Sequence, residues 1–525
     1  MKPLRPLLAL VIVAIALAFL AAPAASLSAG DSGPPPGNGG AGLPGTHGGA
    51  GLPGTHGGGG PPGPHGTVLT IGGAATPRPI APGFLGLSLE YFSLPYYAGT
   101  NPRAVNPVFV QLIRNLAGSS PPVLRIGGDT TDESWWPVQG VSQPAGVNYA
   151  LTAGWMQVIR SLATRLGARL ILGINLEADS TTIAATEAKA LLAGVGRRRV
   201  EALELGNEPE LYGQFTWGAS GAPGRPSAYG FSDFQHDFSK IADAMPNVPL
   251  AGPAVGAPHW FRRIGAFLSA HRRVTVTTVH RYPLQLCYVR PGEPDYPTVP
   301  HLLSTWSTRT LAGSVTAAVV ASHARGVPVR VDEMNTVSCG SVPDVAQSFT
   351  SALWALDVLF RMASVGVDGV NIHTFPGATY ELFTFSQVHG RWRATVAPEY
   401  YGLEMFAQAA PARSRPLRVS ETGAPRLPAW ATRARDGTTR VVVMNTSSHA
   451  NLISLRAAGN QATGTLELLR SGRQGVTLAG EGFGASTATG KPSGRHRAAK
   501  VAPTNGGYRF TLPATSAAML TIPAG

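Results

Sequence analysis

The stretch EALELGNEPELYG, residues 201–213, passes from a strand-like run into a polar loop. Its first residues alternate apolar and polar side chains, a pattern typical of a β-strand. Pro209 cannot donate a backbone N–H to a strand ladder, so the strand is expected to end before it. Asn207 and Glu208 therefore stand at the carboxyl end of a predicted strand.

This run is the fourth of eight strand-like runs that alternate with helical stretches. The eight are FLGLSLEYF (84–92), PVLRIGGD (122–129), RLILGINLE (169–177), VEALELGNEPE (200–210), PLAGPAV (249–255), VTVTTVHRYP (274–283), PVRVDEMN (328–335) and GVDGVNIHTF (366–375). The alternation predicts a (β/α)8 TIM barrel within residues 67–410. A doubly wound open sheet is the alternative, but the sequence has no Gly-rich phosphate loop after its first strand.

After residue 410 the sequence changes to short β-like runs interrupted by Gly and Thr. The runs TTRVVVMNTS, TGTLELLRS and GYRFTLPATSAAMLTIP predict a C-terminal all-β sandwich over residues 411–525. The run TVLTIG (67–72) precedes the barrel, and residues 67–80 are expected to join that sandwich.

The N-terminal residues indicate export. Residues 1–29 place Lys2 and Arg5 before an apolar run that ends in small residues, the layout of a signal peptide. A secreted protein is predicted, with an uncleaved membrane anchor as the alternative. Residues 30–66 are rich in Gly, Pro and His, and AGLPGTHGG occurs twice in tandem, as expected of a flexible linker.

Positive charge is concentrated in the predicted sandwich. Residues 411–525 hold 15 Lys and Arg against 4 Asp and Glu, a net charge of +11, whereas residues 67–410 hold 25 against 24, a net of +1. The sandwich is expected to face an acidic polysaccharide, and no nucleic-acid partner is predicted. Coding bias is the alternative, since only 5 of the chain's 42 basic residues are Lys.

Polar side chains gather at the carboxyl ends of the predicted strands, where barrels of this type place their chemistry. They are Glu90, Asp129, Asp132, Glu177, Asn207, Glu208, His280, Tyr282, Glu333, Asn335 and His373. A lone glutamate at such a position is commonly a solvated loop residue. Glu208 and Glu333, on the facing strands four and seven, form instead the pair of carboxylates that cleaves a glycosidic bond.

The two carboxylates would have different roles. Glu208 is interpreted as the general acid/base and Glu333 as the nucleophile, because strands four and seven can provide the short carboxyl separation of about 5–5.5 Å found in retaining enzymes. Asn207 is expected to bind a sugar 2-hydroxyl. Arg125 is expected to orient a catalytic carboxylate, and Asp332 to point to the other face of its strand in a structural role.

The motifs FLGLSLEY, LRIGGDTTD, LELGNEPELY, VHRYP, VDEMNTVSCG, NIHTFPGATY, PEYYGLEMFAQA and LPATSAAMLTI occur in that order over most of residues 67–525. Together they resemble glycoside hydrolase family 79, which contains β-glucuronidases and heparanase. The resemblance implies a retaining glycosidase that cleaves a β-linked glucuronic acid residue of a glycan without a metal or cofactor. Alternatives are a related glycosidase acting on a neutral xyloside, arabinoside or glucoside, and a non-catalytic cell-surface carbohydrate-binding protein.

The resemblance also implies a sugar-binding site around the pair. Its predicted members are Asn207, Glu90, His280, Tyr282, Gly340, Tyr380 and His373. The Gly340 N–H and Tyr380 would hold the uronic carboxylate, whereas His373 could equally lie in the core. The only two cysteines are Cys287 and Cys339, and a disulfide between them would tie the loop after strand seven to the loop after strand six.

Overall fold

The computed structural model describes residues 66–76, 78–457 and 462–525. The predicted signal segment and the linker up to residue 65 lie outside these ranges. Among the residues described, no helix has both the length and the apolar composition needed to cross a membrane.

Eight parallel strands close into a barrel. Barrel strands one to eight are Leu85–Glu90, Val123–Gly127, Arg169–Ile174, Val200–Leu205, Leu250–Val255, Val274–Arg281, Val329–Met334 and Gly369–Thr374. Most of their residues are buried on both faces, because side chains fill the barrel and helices cover its outside. The predicted (β/α)8 barrel is confirmed.

One main helix follows each barrel strand. The helices are Pro107–Ala117, Ala153–Leu166, Thr181–Leu191, Phe231–Ala244, Ile264–Ala270, Thr316–His323, Phe349–Ser364 and Pro398–Ala409. Side chains cap several of their N-termini. Asn106 accepts from the backbone N–H of Val108 at 3.0 Å, and Thr152 accepts from that of Trp155 at 3.1 Å. These caps satisfy donors that the first helical turn leaves unpaired.

Shorter elements fill the connections. The helical turns are Ser93–Ala98, Thr130–Glu133, Leu192–Gly196, Arg197–Arg199, Pro209–Leu211, Gly218–Ser220, Pro258–Phe261, Val299–Leu302, Trp306–Thr310, Leu311–Ser314 and Pro343–Ala346. The two-stranded pairs are Ser134–Trp135 with Tyr149–Ala150, Leu284–Gln285 with Val337–Ser338, and Phe383–Val388 with Arg391–Val396. The middle pair joins the loops that follow barrel strands six and seven.

Twelve strands form the C-terminal β-domain and are hydrogen-bonded edge to edge in one sheet. They are Thr67–Ala74, Arg415–Thr422, Ala429–Arg433, Thr439–Asn445, Asn451–Arg456, Gly464–Gly472, Gly475–Leu478, Glu481–Gly482, Ser493–Gly494, Ala499–Val501, Gly507–Leu512 and Ser516–Ile522. The first of these precedes the barrel in sequence. It pairs antiparallel with residues 415–422 and parallel with residues 451–456, so the chain enters the β-domain before it builds the barrel.

The β-domain packs on the last two barrel helices. Trp430 stacks on Phe360 with ring centroids 5.6 Å apart, and its indole N–H donates to Asp357 at 2.9 Å. The Thr432 hydroxyl donates to the carbonyl of Ala409 at 2.5 Å. Apolar packing and buried hydrogen bonds therefore join the barrel and the β-domain.

Removing apolar volume from the first strand should weaken the β-domain. Leu69 is fully buried in a core cluster with Ile453 and Leu520, so Leu69→Ala is expected to lower the free energy of unfolding by about 2–5 kcal/mol. Urea unfolding followed by fluorescence measures the change. Thr70→Ala, at an exposed position of the same strand, is the control and should change it by less than about 0.5 kcal/mol. Equal effects of the two substitutions would contradict the packing of this strand.

Candidate active site

The two carboxylates predicted from the strand ends lie close together at the barrel mouth. One oxygen of Glu208, one of Glu333 and one ring nitrogen of His280 all lie within 4.8 Å of one another. His280 is buried between the two glutamates, with Nδ1 3.0 Å from Oε1 of Glu208 and 4.0 Å from Oε2 of Glu333. The side chain of Glu208 is 22% exposed and that of Glu333 is 9% exposed. Glu208 is therefore the more accessible of the pair.

The backbone around Glu208 is tightly held. Glu208 adopts the left-handed conformation (φ 47°, ψ 54°), which is uncommon for a residue other than glycine and is found often at functional sites. Its N–H donates to the carbonyl of Ala254 at 2.8 Å, and its carbonyl accepts from Leu211 at 2.8 Å. These two bonds fix the point where the chain leaves barrel strand four.

Asp132 joins three strand ends beneath this turn. Its Oδ1 accepts from the N–H of Leu176 at 2.8 Å, whereas its Oδ2 accepts from the N–H of Asn207 at 2.9 Å and from the Tyr212 hydroxyl at 2.7 Å. The loop after strand two thereby holds the ends of strands three and four in register. Asp132 is thus connected to Glu208 through the backbone of the preceding residue, Asn207.

Arg125 is a buried cation in contact with Glu333. Its guanidinium is fully buried and donates to Glu204 at 2.7 Å, to Glu333 at 2.5 Å and to the Asn207 side chain at 2.7 Å. The prediction that Arg125 orients a catalytic carboxylate agrees with these contacts. The nitrogen atoms of the guanidinium face different partners. Among side chains, only arginine offers such a planar set of N–H donors.

The surroundings of Glu333 favour its ionised form. Burial by itself would raise the pKa of this carboxyl, but the charges of His373, His280 and Arg125, followed by the hydroxyl of Tyr282, outweigh burial and hold the pKa well below its usual range. The Tyr282 hydroxyl donates to Oε1 of Glu333 at 3.0 Å. Glu333 is thus available as a carboxylate, the state that a nucleophile requires.

A bulge in strand seven contradicts the direction predicted for Asp332 but leaves it in a structural position. Regular alternation would point Asp332 away from Glu333, but the register with strand six shifts between Val331 and Glu333. A bulge re-aims a side chain, and here it brings both acids toward Arg125. Oδ2 of Asp332 lies 3.6 Å from the Arg125 Nε, and Oδ1 lies 3.5 Å from the His280 Nε2.

Asp332 and Glu204 compete for this one guanidinium. Both are fully buried, and neither oxygen of Asp332 nor Oε1 of Glu204 has a hydrogen-bond partner among the described residues when both acids are ionised. Burial, and then the charge of Glu204, raise the pKa of Asp332 well above its usual range. For Glu204, Arg125 outweighs burial and lowers the pKa. Asp332 is therefore the protonated member and donates toward Glu204.

Glu90 lies in the wall of the site. Only 4% of Glu90 is exposed, and its carboxylate accepts from the N–H and the hydroxyl of Thr130, the former at 2.9 Å. The Nε2 of His373 lies 3.2 Å from Glu90, and the Nδ1 of His373 lies 3.0 Å from the Ser88 hydroxyl. His373 is thus buried between Glu90 and Glu333, where it supports the site as part of the core.

Asp129 was given no role from its position after strand two. It is exposed at the mouth, and its Oδ1 accepts from the side chain of Asn207 at 3.2 Å. An accessible acid side chain beside Asn207 is suited to form hydrogen bonds with sugar hydroxyls. Sequence spacing does not relate residue 129 to residue 207, so only the fold identifies this neighbour.

Tyr380 completes the same cluster, whereas Gly340 lies further out. The Tyr380 hydroxyl is 3.4 Å from that of Tyr282. Gly340 is exposed, and its carbonyl accepts from the Thr379 hydroxyl at 3.3 Å. The loop that contains Gly340 thus contacts the residue next to Tyr380.

A disulfide links Cys287 to Cys339, with Cα atoms 5.4 Å apart. It joins the loop after strand six to the loop after strand seven, one residue before Gly340. The adjacent strands Leu284–Gln285 and Val337–Ser338 pair in parallel, so covalent and backbone bonds hold the two loops together.

The atoms that Glu208, His280 and Glu333 offer would also suit a metal ion in spacing. Glu333, however, already receives donors from Arg125 and Tyr282. The three side chains are therefore two carboxylates with a histidine between them, and one of the carboxylates is already held by an arginine and a tyrosine.

No protein-family model matches the sequence. Two curated proteins named β-glucuronidase are similar to it. The chain is 24% identical to the Aspergillus niger protein over 366 residues, 63% of this chain and 65% of that protein, which is slightly under two thirds of its length. It is 24% identical to the Neurospora crassa protein over 436 residues, 73% of this chain and 75% of that one.

Solved glycosidase structures share the fold. A 4-O-α-L-rhamnosyl-β-D-glucuronidase from Fusarium oxysporum, in complex with Rha-GlcA, superimposes with a TM-score of 0.65 at 18% identity, covering 87% of this chain and all of that one. A GH51 arabinofuranosidase from Xanthomonas axonopodis gives 0.61 at 15% identity with the same coverage. The chain thus has the architecture of the barrel glycoside hydrolases.

The protonation state of Asp332 can be tested through stability. A carboxyl whose pKa is raised in the folded state stabilises the fold fully below its unfolded pKa of about 3.9, and this contribution is lost as pH rises toward the folded pKa. Asp332→Asn keeps a donor toward Glu204 and does not ionise. Its free energy of unfolding, relative to wild type, should therefore increase as pH rises from about 4 to 8.

Urea unfolding at several pH values measures this difference, with the exposed Asp344→Asn as the control. Asp332→Ala, which leaves Glu204 without the donor, should be less stable by about 1–3 kcal/mol. A relative stability of Asp332→Asn that falls with rising pH would mean that Asp332 is ionised in the folded protein.

Proposed function

We propose that this protein is a retaining glycosidase that hydrolyses a β-linked glucuronic acid residue. The observation on which the proposal depends is the short separation of the two carboxylates, whose nearest oxygens lie within 4.8 Å. Retaining glycosidases hold their carboxyl groups about 5–5.5 Å apart, whereas inverting enzymes leave about 6.5–9.5 Å for a water. Membership of glycoside hydrolase family 79, expected from the motifs, belongs to the same proposal.

The reaction would proceed in two displacements. In the first, Glu333 attacks the anomeric carbon while Glu208 gives its proton to the departing oxygen, which leaves a covalent glycosyl-enzyme. In the second, Glu208 takes a proton from water, and this water displaces Glu333 from the sugar. Arg125 and Tyr282 hold Glu333 in place through both steps, because each donates to a different oxygen of it.

The choice of a glucuronide has two supports. Both curated relatives bear the name β-glucuronidase, and the Fusarium structure is a glucuronidase in complex with Rha-GlcA. In this chain, Tyr380 and the Gly340 loop lie on the Glu333 side of the mouth, where the family resemblance expects the uronic carboxylate. Asp129, Asn207 and Tyr282 would then bind the sugar hydroxyls.

The purified protein should hydrolyse 4-nitrophenyl β-D-glucuronide, and Glu333→Gln and Glu208→Gln should each lose most of this turnover. The losses have different causes, since Glu333→Gln removes the nucleophile and Glu208→Gln removes the proton donor. Release of nitrophenol measures turnover, and proton NMR of the first-formed sugar identifies its anomer. Glu404→Gln, in a helix outside the mouth, is the matched control.

A β-anomer as first product is expected of a retaining enzyme, and an α-anomer would contradict that mechanism. Hydrolysis of a 4-nitrophenyl xyloside or arabinofuranoside in preference to the glucuronide would reject the substrate assignment and favour the neutral-sugar alternative. Binding of glycans without any turnover would favour a carbohydrate-binding protein.

We also propose that the protein is exported, as the signal-like residues 1–29 indicate.

We further propose that the β-domain binds acidic polysaccharide. The segment KPSGRHRAAK, residues 491–500, is almost entirely exposed and includes Arg495, Arg497 and Lys500. The neighbouring acids Glu467 and Glu481 lie 3.3 and 2.8 Å from the imidazole of His496. A cluster of exposed cations attracts polyanions most strongly at low ionic strength.

Replacing Arg495, Arg497 and Lys500 together by alanine should make the full chain elute from immobilised heparin at lower salt, because the cluster supplies the attraction. The control removes the same charge from the exposed Arg413, Arg415 and Arg418. Equal shifts for both triple variants would indicate an effect of net charge alone, and a wild-type protein that does not bind would reject the proposal.

A further inference from the structure

Two exposed aromatic side chains lie together beside the barrel mouth. Phe215 is 40% exposed and Tyr288 is 59% exposed, and their ring centroids lie 6.0 Å apart with the planes at 74°. Single exposed apolar residues are ordinary, but two aromatic rings from different loops in contact form an apolar surface suited to a ligand. Neither ring has a part in the chemistry described above.

Phe215 follows the proposed acid/base by one short helical stretch. The N–H of Leu211 donates to the Glu208 carbonyl at 2.8 Å, and the N–H of Phe215 donates to the Leu211 carbonyl at 3.1 Å. Phe215 lies seven positions after Glu208 along the chain, and helical turns rise about 1.5–2.0 Å per residue. The backbone of Phe215 therefore lies within about 14 Å of the Glu208 backbone.

Tyr288 reaches the same place from the loop after strand six. Its hydroxyl donates to the side-chain oxygen of Gln214 at 3.5 Å, next to Phe215. Tyr288 also follows Cys287, so the disulfide to Cys339 restrains it. Partial burial, and then the negative charges of Glu208 and Glu210, raise the pKa of Tyr288, in keeping with a position near the acid/base.

The two rings lie on the Glu208 side of the mouth, and this position indicates which part of the substrate they could bind. The general acid protonates the oxygen of the leaving group, so the leaving group must sit against Glu208. The glucuronic acid residue itself would occupy the side of Glu333 and Tyr380. A group bound by Phe215 and Tyr288 is therefore the part of the substrate that is released.

Rings and polar groups alternate at this surface. Phe215 offers an apolar face, while the exposed Gln214 amide and the Tyr288 hydroxyl offer hydrogen bonds. A pyranose matches this arrangement, because its C–H groups form an apolar face and its hydroxyl groups form a polar rim. We propose that Phe215, Tyr288 and Gln214 form a subsite for a second sugar residue, the one to which the glucuronic acid is attached. This inference rests on the proposed glucuronidase function.

The test compares two kinds of substrate, both of which have an alcohol as the leaving group. Methyl β-D-glucuronide has no second sugar, whereas glucuronosyl-β-1,3-, β-1,4- and β-1,6-galactose present one in different linkages. Phe215→Ala and Tyr288→Ala should each lower kcat/KM about three- to tenfold on the preferred disaccharide, mainly through KM, with less than a twofold change on the methyl glucuronide. Phe215→Tyr and Tyr288→Phe retain the rings and should keep most of the activity.

Trp306→Ala is the matched control, since Trp306 is 41% exposed outside the mouth. Equal losses on the methyl glucuronide and the disaccharides would overturn the subsite and indicate a loop distorted by the substitution. A loss of activity confined to 4-methylumbelliferyl β-glucuronide would mean that the two rings bind an aromatic leaving group and not a second sugar. A wild-type protein that cleaves none of these glucuronides would reject the proposed function, whereas one that cleaves the methyl glucuronide as fast as every disaccharide would reject the subsite.

Discussion

The Arg125 guanidinium is fully buried and donates to Glu204, Glu333 and Asn207, and the arrangement of the whole mouth depends on these contacts. Removing a cation from water costs several kcal/mol unless good hydrogen bonds replace its hydration. The barrel provides these hydrogen bonds because strands two, four and seven all end at its mouth. The same contacts fix Glu333 and Asn207, so the groups that compensate the buried charge are also those placed to act on substrate.

One guanidinium cannot neutralise three buried carboxylates, and this limit sets the protonation of the site. Glu204 and Glu333 take the two closest contacts with Arg125, and Asp332 is left at 3.6 Å. A proton on Asp332 supplies the missing donor at less cost than a third buried charge. The Nε2 of His280 lies 3.5 Å from Oδ1 of Asp332, and its Nδ1 lies 3.0 Å from Oε1 of Glu208. The imidazole is thus placed between Glu208 and the acid next to Glu333.

The barrel and the proximity of Glu208 and Glu333 at its mouth could be predicted because they depend on local patterns. All eight strand-like runs contain a barrel strand, and the strand-end rule brought Glu208, Glu333 and His280 together. Asp332 could not be predicted correctly, since a bulge is a property of pairing between strands and leaves no mark in the alternation of one strand. Asp129 was named among the strand-end side chains, but its contact with Asn207 could not be predicted, because it links loops 78 residues apart.

The loops differ from the strands in how they are fixed. Strand ends are set by the barrel, but the loops after strands six and seven need their own restraints, which the disulfide and the Leu284–Gln285 pairing supply. Cys339 stands beside Gly340 and Cys287 beside Tyr288, so one covalent bond restrains both of these residues. If the mouth binds sugar on both sides, this link holds the two halves at a constant distance, and the substrate's glycosidic oxygen is presented to Glu208 without a movement of the loops.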